Sequence, residues 1–194
     1  MRWMMLLLIL PACGGMKKVP DQALLNVPAE QVRTLERYDT ALDRALDHQA
    51  RAQQTVADAN QAVAAAEADV KQSRKAWERD RNRKIKAVRD SDPEQAEMAQ
   101  AAVASSHASY QANMTRLAAE RISQEQAEQT LREAKAAVAL RRAELIQARA
   151  VAANAGGADL NLETYNDQVA EAQQAYDAAV AAMNAQASNR EGSR

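Results

Sequence analysis

Every seventh residue from Leu35 to Trp77 belongs to one series: Leu35, Leu42, Gln49, Val56, Val63, Val70 and Trp77. A second series runs three residues behind it, through Tyr38, Ala45, Ala52, Ala59, Ala66 and Ser73. A sustained seven-residue repeat of apolar positions is the pattern of a long helix lying against another helix. No Gly or Pro interrupts the chain between Pro28 and Pro93. The spacing predicts one helix over about 28–89, roughly 93 Å long at 1.5 Å per residue. Pro28 suits its first turn, with Asn26 or Val27 at the cap. A helix of that length needs a partner along its seam. Gln49 is a polar member of the leading series. Asp80 and Lys84 fall on the seam near the far end, where the apolar spacing predicts a slip by one residue to Ile85 and Val88 and looser packing.

Composition agrees with thin helical seams rather than a thick core. Hydrophobic residues make up 47% of the chain, much of it alanine, whereas aromatics are 3% and Phe is absent. Ala, Leu, Glu, Gln and Arg are all strong helix formers. Charged residues almost cancel, at net −1, which argues against a general nucleic-acid binder. A single cysteine excludes an internal disulfide and a cysteine-rich zinc site.

Arg89-Asp90-Ser91-Asp92-Pro93-Glu94 reads as a stop followed by a start. Ser91 and Asp92 can cap, Pro93 fits a first turn, and Glu94 favours the positive helix end. A second helix over about 93–153 carries Val103, Tyr110, Leu117, Gln124, Leu131, Val138, Leu145 and Ala152. Its companion series is Ser106, Asn113, Glu120, Ala127, Ala134, Arg141 and Ala148. Folding the chain between Ser91 and Asp92 makes paired residue numbers add to 183. Ala66 then meets Leu117, Val56 meets Ala127, Ala52 meets Leu131, Ser73 meets Tyr110 and Trp77 meets Ser106. Large side chains fall opposite small ones, which favours an antiparallel hairpin over a parallel dimer. Glu120 and Arg141 are seam exceptions expected at the edge, snorkelling outward.

Asn154-Ala155-Gly156-Gly157 is a helix-ending signal, and Asp159 or Asn161 can cap the next helix. Leu162, Val169, Tyr176 and Met183 define a third helix over about 161–187. Its expected partner is the stripe Ala136, Leu140, Ala143, Ile146 and Ala150 on the second half of helix two. The expected fold class is therefore all-α: a long antiparallel coiled-coil hairpin whose third, shorter helix makes a three-helix base. Residues 13–27, bracketed by Gly14-Gly15 and Pro28, read as a tether with little periodicity, and 188–194 as a disordered tail.

Arg2 is followed by the apolar run Trp3 to Leu10, too short to span a bilayer, so residues 1–12 read as a secretory signal. Leu10-Pro11-Ala12-Cys13 resembles the lipobox of bacterial lipoproteins, with a branched aliphatic at −3, a small residue at −1 and then Cys. Pro11 stands where that family usually carries a small or hydroxyl residue. The resemblance covers about the first fifteen residues. It implies cleavage before Cys13, lipidation of Cys13 and attachment to a membrane. Gly14 in place of an Asp after the cysteine implies the outer membrane, facing the periplasm, rather than the inner.

No HExxH, Walker, GxGxxG or GxSxG motif occurs. His48 and His107 lie far apart on the folded hairpin and lack ligands at metal spacing. The carboxylates lie on solvated helices without a pocket to tune them. An enzyme, a cofactor and a metal are not expected, and Trp77 reads as a packing residue. One charge feature stands out. Lys71 to Asp92 holds nine Lys or Arg against four Asp or Glu. Arg79, Arg81, Arg83, Lys84, Lys86 and Arg89 make a candidate contact tip for an anionic envelope surface or an envelope protein. The bland alternative is a solvated face laced with local ion pairs.

The expected role is a membrane-anchored coiled-coil spacer or adaptor in the bacterial cell envelope. Two alternatives remain. One is an accessory component of a transport or secretion assembly. The hairpin resembles that of periplasmic efflux adaptors, but the chain offers no strand-like segments for their β-rich domains. The other is a periplasmic holdase-type coil. A homo-oligomer that uses the same seams also stays open.

Overall fold

The computed structural model describes residues 16–191, with side chains described as far as Ser188. The predicted signal, Cys13, and the last three residues of the predicted tail lie outside the described residues. A 3-10 turn, Asp21–Leu24, precedes three helices: α1 (Ala29–Arg89), α2 (Pro93–Ala155) and α3 (Leu162–Glu191). The chain divides into two compact units. Unit 1 takes residues up to Ala50 and from Arg132 onward, and unit 2 is Arg51–Leu131.

Unit 2 is an antiparallel helix pair. Asn60 on α1 meets Gln124 on α2 at 2.7 Å, Glu67 meets Arg121 at 2.9 Å, and Asp69 meets Arg116 at 3.0 Å. Farther toward the turn, Trp77 stacks on Tyr110, with ring centroids 5.7 Å apart and planes 7° from parallel. It also lies 5.1 Å from the tilted ring of His107. Rising numbers on α1 thus meet falling numbers on α2. The buried seam positions are small on α1, at Ala52, Ala66, Ser73 and Ala87, and include Leu117, Ser106 and Ala127 on α2. The two serines make room for the aromatic rings. They remain satisfied because Ser73 Oγ donates to the Asp69 carbonyl at 2.8 Å and Ser106 Oγ to the Ala102 carbonyl at 2.9 Å.

The expected slip near the turn does not occur. Asp80 and Lys84 are half-buried and Ala87 is buried, so the original phase continues to the end of α1. Ile85 and Val88 stay outside, 56% and 59% exposed. The phase is imposed by the whole preceding seam. Shifting it by one residue would rotate a straight helix by about 100°, and two apolar side chains cannot offset that.

The turn is a Schellman-type stop. The Asp92 N–H bonds to the Ala87 carbonyl and the Ser91 N–H to the Val88 carbonyl, both at 3.2 Å. Ser91 occupies the left-handed position, with φ 54°. Asp92 then caps α2, its Oδ1 accepting the Gln95 N–H at 3.0 Å. Because a side chain is strained at that φ, Ser91→Gly is expected to raise stability by about 0.5–1 kcal/mol. A lower urea midpoint for the variant would contradict this account.

Unit 1 packs segments of all three helices. Leu140 and Ala143 of α2 are buried with Ala172 of α3, and Val169, Tyr176 and Met16 cover them. A second cluster joins Ala150 and Ala153 to Tyr165 and Val19, with Leu24, Leu160 and Leu162 around it. The α2 stripe read from the sequence is therefore the surface that receives α3. On the other side of α2, Arg149 meets Asp39 of α1 at 3.4 Å.

Residues 16–27 correct the tether reading, because Val19 is buried and Met16, Ala23 and Leu24 pack on the core. The contact is close. A Cβ on Gly156 would stand 2.5 Å from the Asn26 carbonyl oxygen, so glycine is required there. Gly157, at φ 96°, ends α2 with a second Schellman arrangement, and the Ala158 N–H reaches the Ala153 carbonyl at 3.0 Å. The Asn154 side chain locks the loop, donating to the Leu160 carbonyl at 2.9 Å and accepting the Leu160 N–H at 2.8 Å. Of the two expected caps for α3, Asn161 serves, with Oδ1 accepting the Glu163 N–H at 2.9 Å. Because α3 runs to Glu191, it also overturns the tail reading for 188–191.

Candidate functional site

In unit 2, the face of α1 turned away from the seam is cationic. Lys75, Arg79, Asn82, Lys86 and Arg89 recur at alternating four- and three-residue steps, which puts them on one stripe. Arg83 stands beside them. Lys75, Glu78, Arg79, Asn82, Arg83 and Lys86 line an open depression of about 510 Å³. All of its walls belong to α1, so it is a surface rather than a cleft between elements.

Local carboxylates neutralise part of this charge. Asp80 lies 3.6 Å from Arg83 and 3.9 Å from Arg79, and Asp90 lies 3.5 Å from Arg89. Arg74 donates to Glu78 at 2.8 Å, and that hydrogen bond is the chief cause holding its guanidinium above its ordinary pKa. These arginines are well exposed, and exposed pairs contribute at most about 1 kcal/mol, so a stronger anion can displace them. Among the described residues Lys75, Arg81 and Lys86 have no ion pair.

The six predicted tip residues are thus not equivalent. Arg79, Arg83, Lys86 and Arg89 share the stripe or its edge, whereas Arg81 lies farther round the helix, on the side of Ile85 and Val88. Lys84 is set apart, because it takes a seam position and is half-buried. The prediction omitted Lys75 and Asn82. Their steps of four and seven residues from Arg79 and Lys75 are the signal that places them on the outer face.

Comparison with protein families, curated proteins and solved structures gave no match. The chemistry must therefore be read from the side chains. Among the described residues no group of His, Cys, Asp and Glu is arranged to hold a metal ion. No described helix is long and apolar enough to cross a membrane. His48, half-exposed, lies 3.9 Å from Glu133 in unit 1, while His107 belongs to the aromatic contact with Trp77 in unit 2. The heptad pattern gives no sign of that contact, since His107 flanks the seam rather than lying on it. What the cationic face can do is hold anions: several guanidinium and ammonium groups on one rigid helix, spaced to meet successive negative charges.

Proposed function

We propose that this chain is a lipid-anchored structural or adaptor protein of the bacterial cell envelope. Acyl chains on Cys13 hold it to the outer membrane on the periplasmic side, and the cationic face of α1 docks an anionic envelope surface or protein. The observation that carries the anchor is the placement of the only cysteine where the apolar run ends, in the lipobox-like Leu10-Pro11-Ala12-Cys13. Two or more acyl chains give stable attachment, each buried methylene contributing about 0.8 kcal/mol. The packing of Met16 and Val19 into unit 1 is compatible with this reading. It leaves only Gly14 and Gly15 between Cys13 and the packed segment, a reach of about 10 Å. Unit 1 would then lie close to the headgroups instead of on a long leash.

The test compares the full chain with Cys13→Ala in a bacterial host fed a palmitate analogue. The parent is expected to carry the label and sediment with membranes, and the variant to be unlabelled and largely soluble. Equal membrane retention of an unlabelled variant would end the anchor reading. A photocrosslinking residue in place of Lys86 is expected to give a discrete adduct that disappears with Arg79→Glu and Arg83→Glu. An adduct pattern indifferent to those charges would remove the docking role.

A further inference from the structure

Near the turn, α1 does something its sequence did not require. Asp80 and Lys84 sit in the seam, while the apolar Ile85 and Val88 face outward. Single exposed hydrophobics are ordinary, but these two are three residues apart on one face, flanked by Arg81 and Arg89. Met98, early in α2, is 60% exposed as well. Exposed apolar side chains in the most basic stretch of the chain break the local rule of apolar in and charged out, and such breaks concentrate where a surface has work to do.

We infer that the turn end of unit 2 seats Ile85 and Val88 in the surface of an anionic lipid bilayer. This rests on the docking role of the cationic face and narrows its partner to lipid. Lysine and arginine extend their charged ends to the headgroups while their stems and the apolar residues between them enter the acyl boundary. An extended anionic polymer would engage the charges equally well, yet would leave Ile85 and Val88 in water. A second copy of this chain docking through the same patch would bring like charge against like charge, since Lys71 to Asp92 carries nine cations against four carboxylates. The combination of two outward aliphatic side chains with Arg81 and Arg89 on either side of them therefore selects the lipid surface.

The test uses the full chain carrying Cys13→Ser, so that no acyl anchor forms, and Asn82→Cys labelled with an environment-sensitive fluorophore. Asn82 is exposed and lies one turn from Ile85 on the same face. With equimolar phosphatidylglycerol and phosphatidylcholine vesicles the label is expected to shift blue and to be quenched by lipids spin-labelled near the headgroup. With phosphatidylcholine alone it stays unshifted, even where Trp3 to Leu10 holds the chain on the vesicle. A label at Ala57→Cys, exposed on the same helix, stays unshifted in both.

Ile85→Ser with Val88→Ser should weaken the response about tenfold, since each side chain buries a fraction of its apolar area. Lys86→Glu should weaken it about fivefold or more, and added salt should act in the same direction. Circular dichroism checks that these exposed substitutions leave the helices intact. Three results overturn the inference. One is a response to soluble polyglutamate with none to vesicles, which would keep the docking role and remove lipid as its partner. Another is a shift that follows protein concentration without vesicles, which would assign the patch to a second copy. The third is no response to any anion, which would remove the docking role as well.

Discussion

Tyr165→Ala is expected to lower the stability of unit 1 by about 3–5 kcal/mol, a large part of what a domain this size has. Tyr165 is 1% exposed and is the largest fully buried side chain among the described residues. Its neighbours explain why the loss should sit at the upper end. Its buried neighbours Val19, Ala150 and Ala153 are small and cannot extend into the space the ring vacates, which leaves only the half-buried Leu24, Ile146, Leu160 and Leu162 to close it. The substitution also removes the surface on which Val19 rests, so the segment from Met16 to Val27 should loosen first. Tyr165→Phe keeps the ring and should cost less than about 1 kcal/mol. Urea titration gives the loss, and limited proteolysis at Lys17 and Lys18 reports the segment. A loss under about 1 kcal/mol for Tyr165→Ala would mean that the core of unit 1 is held elsewhere.

That core illustrates what a sequence exposes and what it conceals. The α2 stripe and the α3 heptad were legible because each repeats at helical spacing, and each called for a partner of the same length. Val19 was not. It stands alone between Lys18 and Pro20, in a stretch whose apolar residues follow no period. What buries it is a surface contributed by Ala150, Ala153 and Tyr165, far away in the chain. Gly156 gave a hint, since a glycine pair after a helix marks a stop, but nothing local showed that Asn26 would press against it. Ile85 and Val88 failed in the opposite sense. Their local pattern was clear and was overruled by a phase set many turns earlier. For the cationic face, the net charge was legible from counting. The separation of Lys84 from the stripe was not, because it depended on that same phase. Cys13 stands on its resemblance to a lipobox.

The arrangement of unit 2 makes a second large effect expected, at Ala66 and Leu117. Ala66 is completely buried and Leu117 is 7% exposed. The bonds that Gln124 donates to the Asn60 side chain and Asn113 to the Asp69 carbonyl bracket them and put the two opposite each other. Ala66→Leu should cost about 1–3 kcal/mol, since the added methylenes meet Leu117 and the facing backbone. Helix propensity cannot account for the loss, because leucine is almost as good a helix former as alanine. The same change at exposed Ala57 should be nearly silent. Leu117→Ala alone should cost about 2–5 kcal/mol by leaving a void. Combined, the two exchange the large and small side chains across the seam and restore the volume. The pair should then be more stable than the sum of the single losses by at least about 1 kcal/mol. Additive losses would mean that the two residues do not touch, and the antiparallel register would have to be redrawn. A positive coupling has a further consequence. In a parallel pairing of two copies, position 66 of one chain meets position 66 of the other, so Leu117→Ala could not relieve Ala66→Leu. The same cycle therefore separates the hairpin from a parallel dimer that uses the identical seam, without any knowledge of what the cationic face binds.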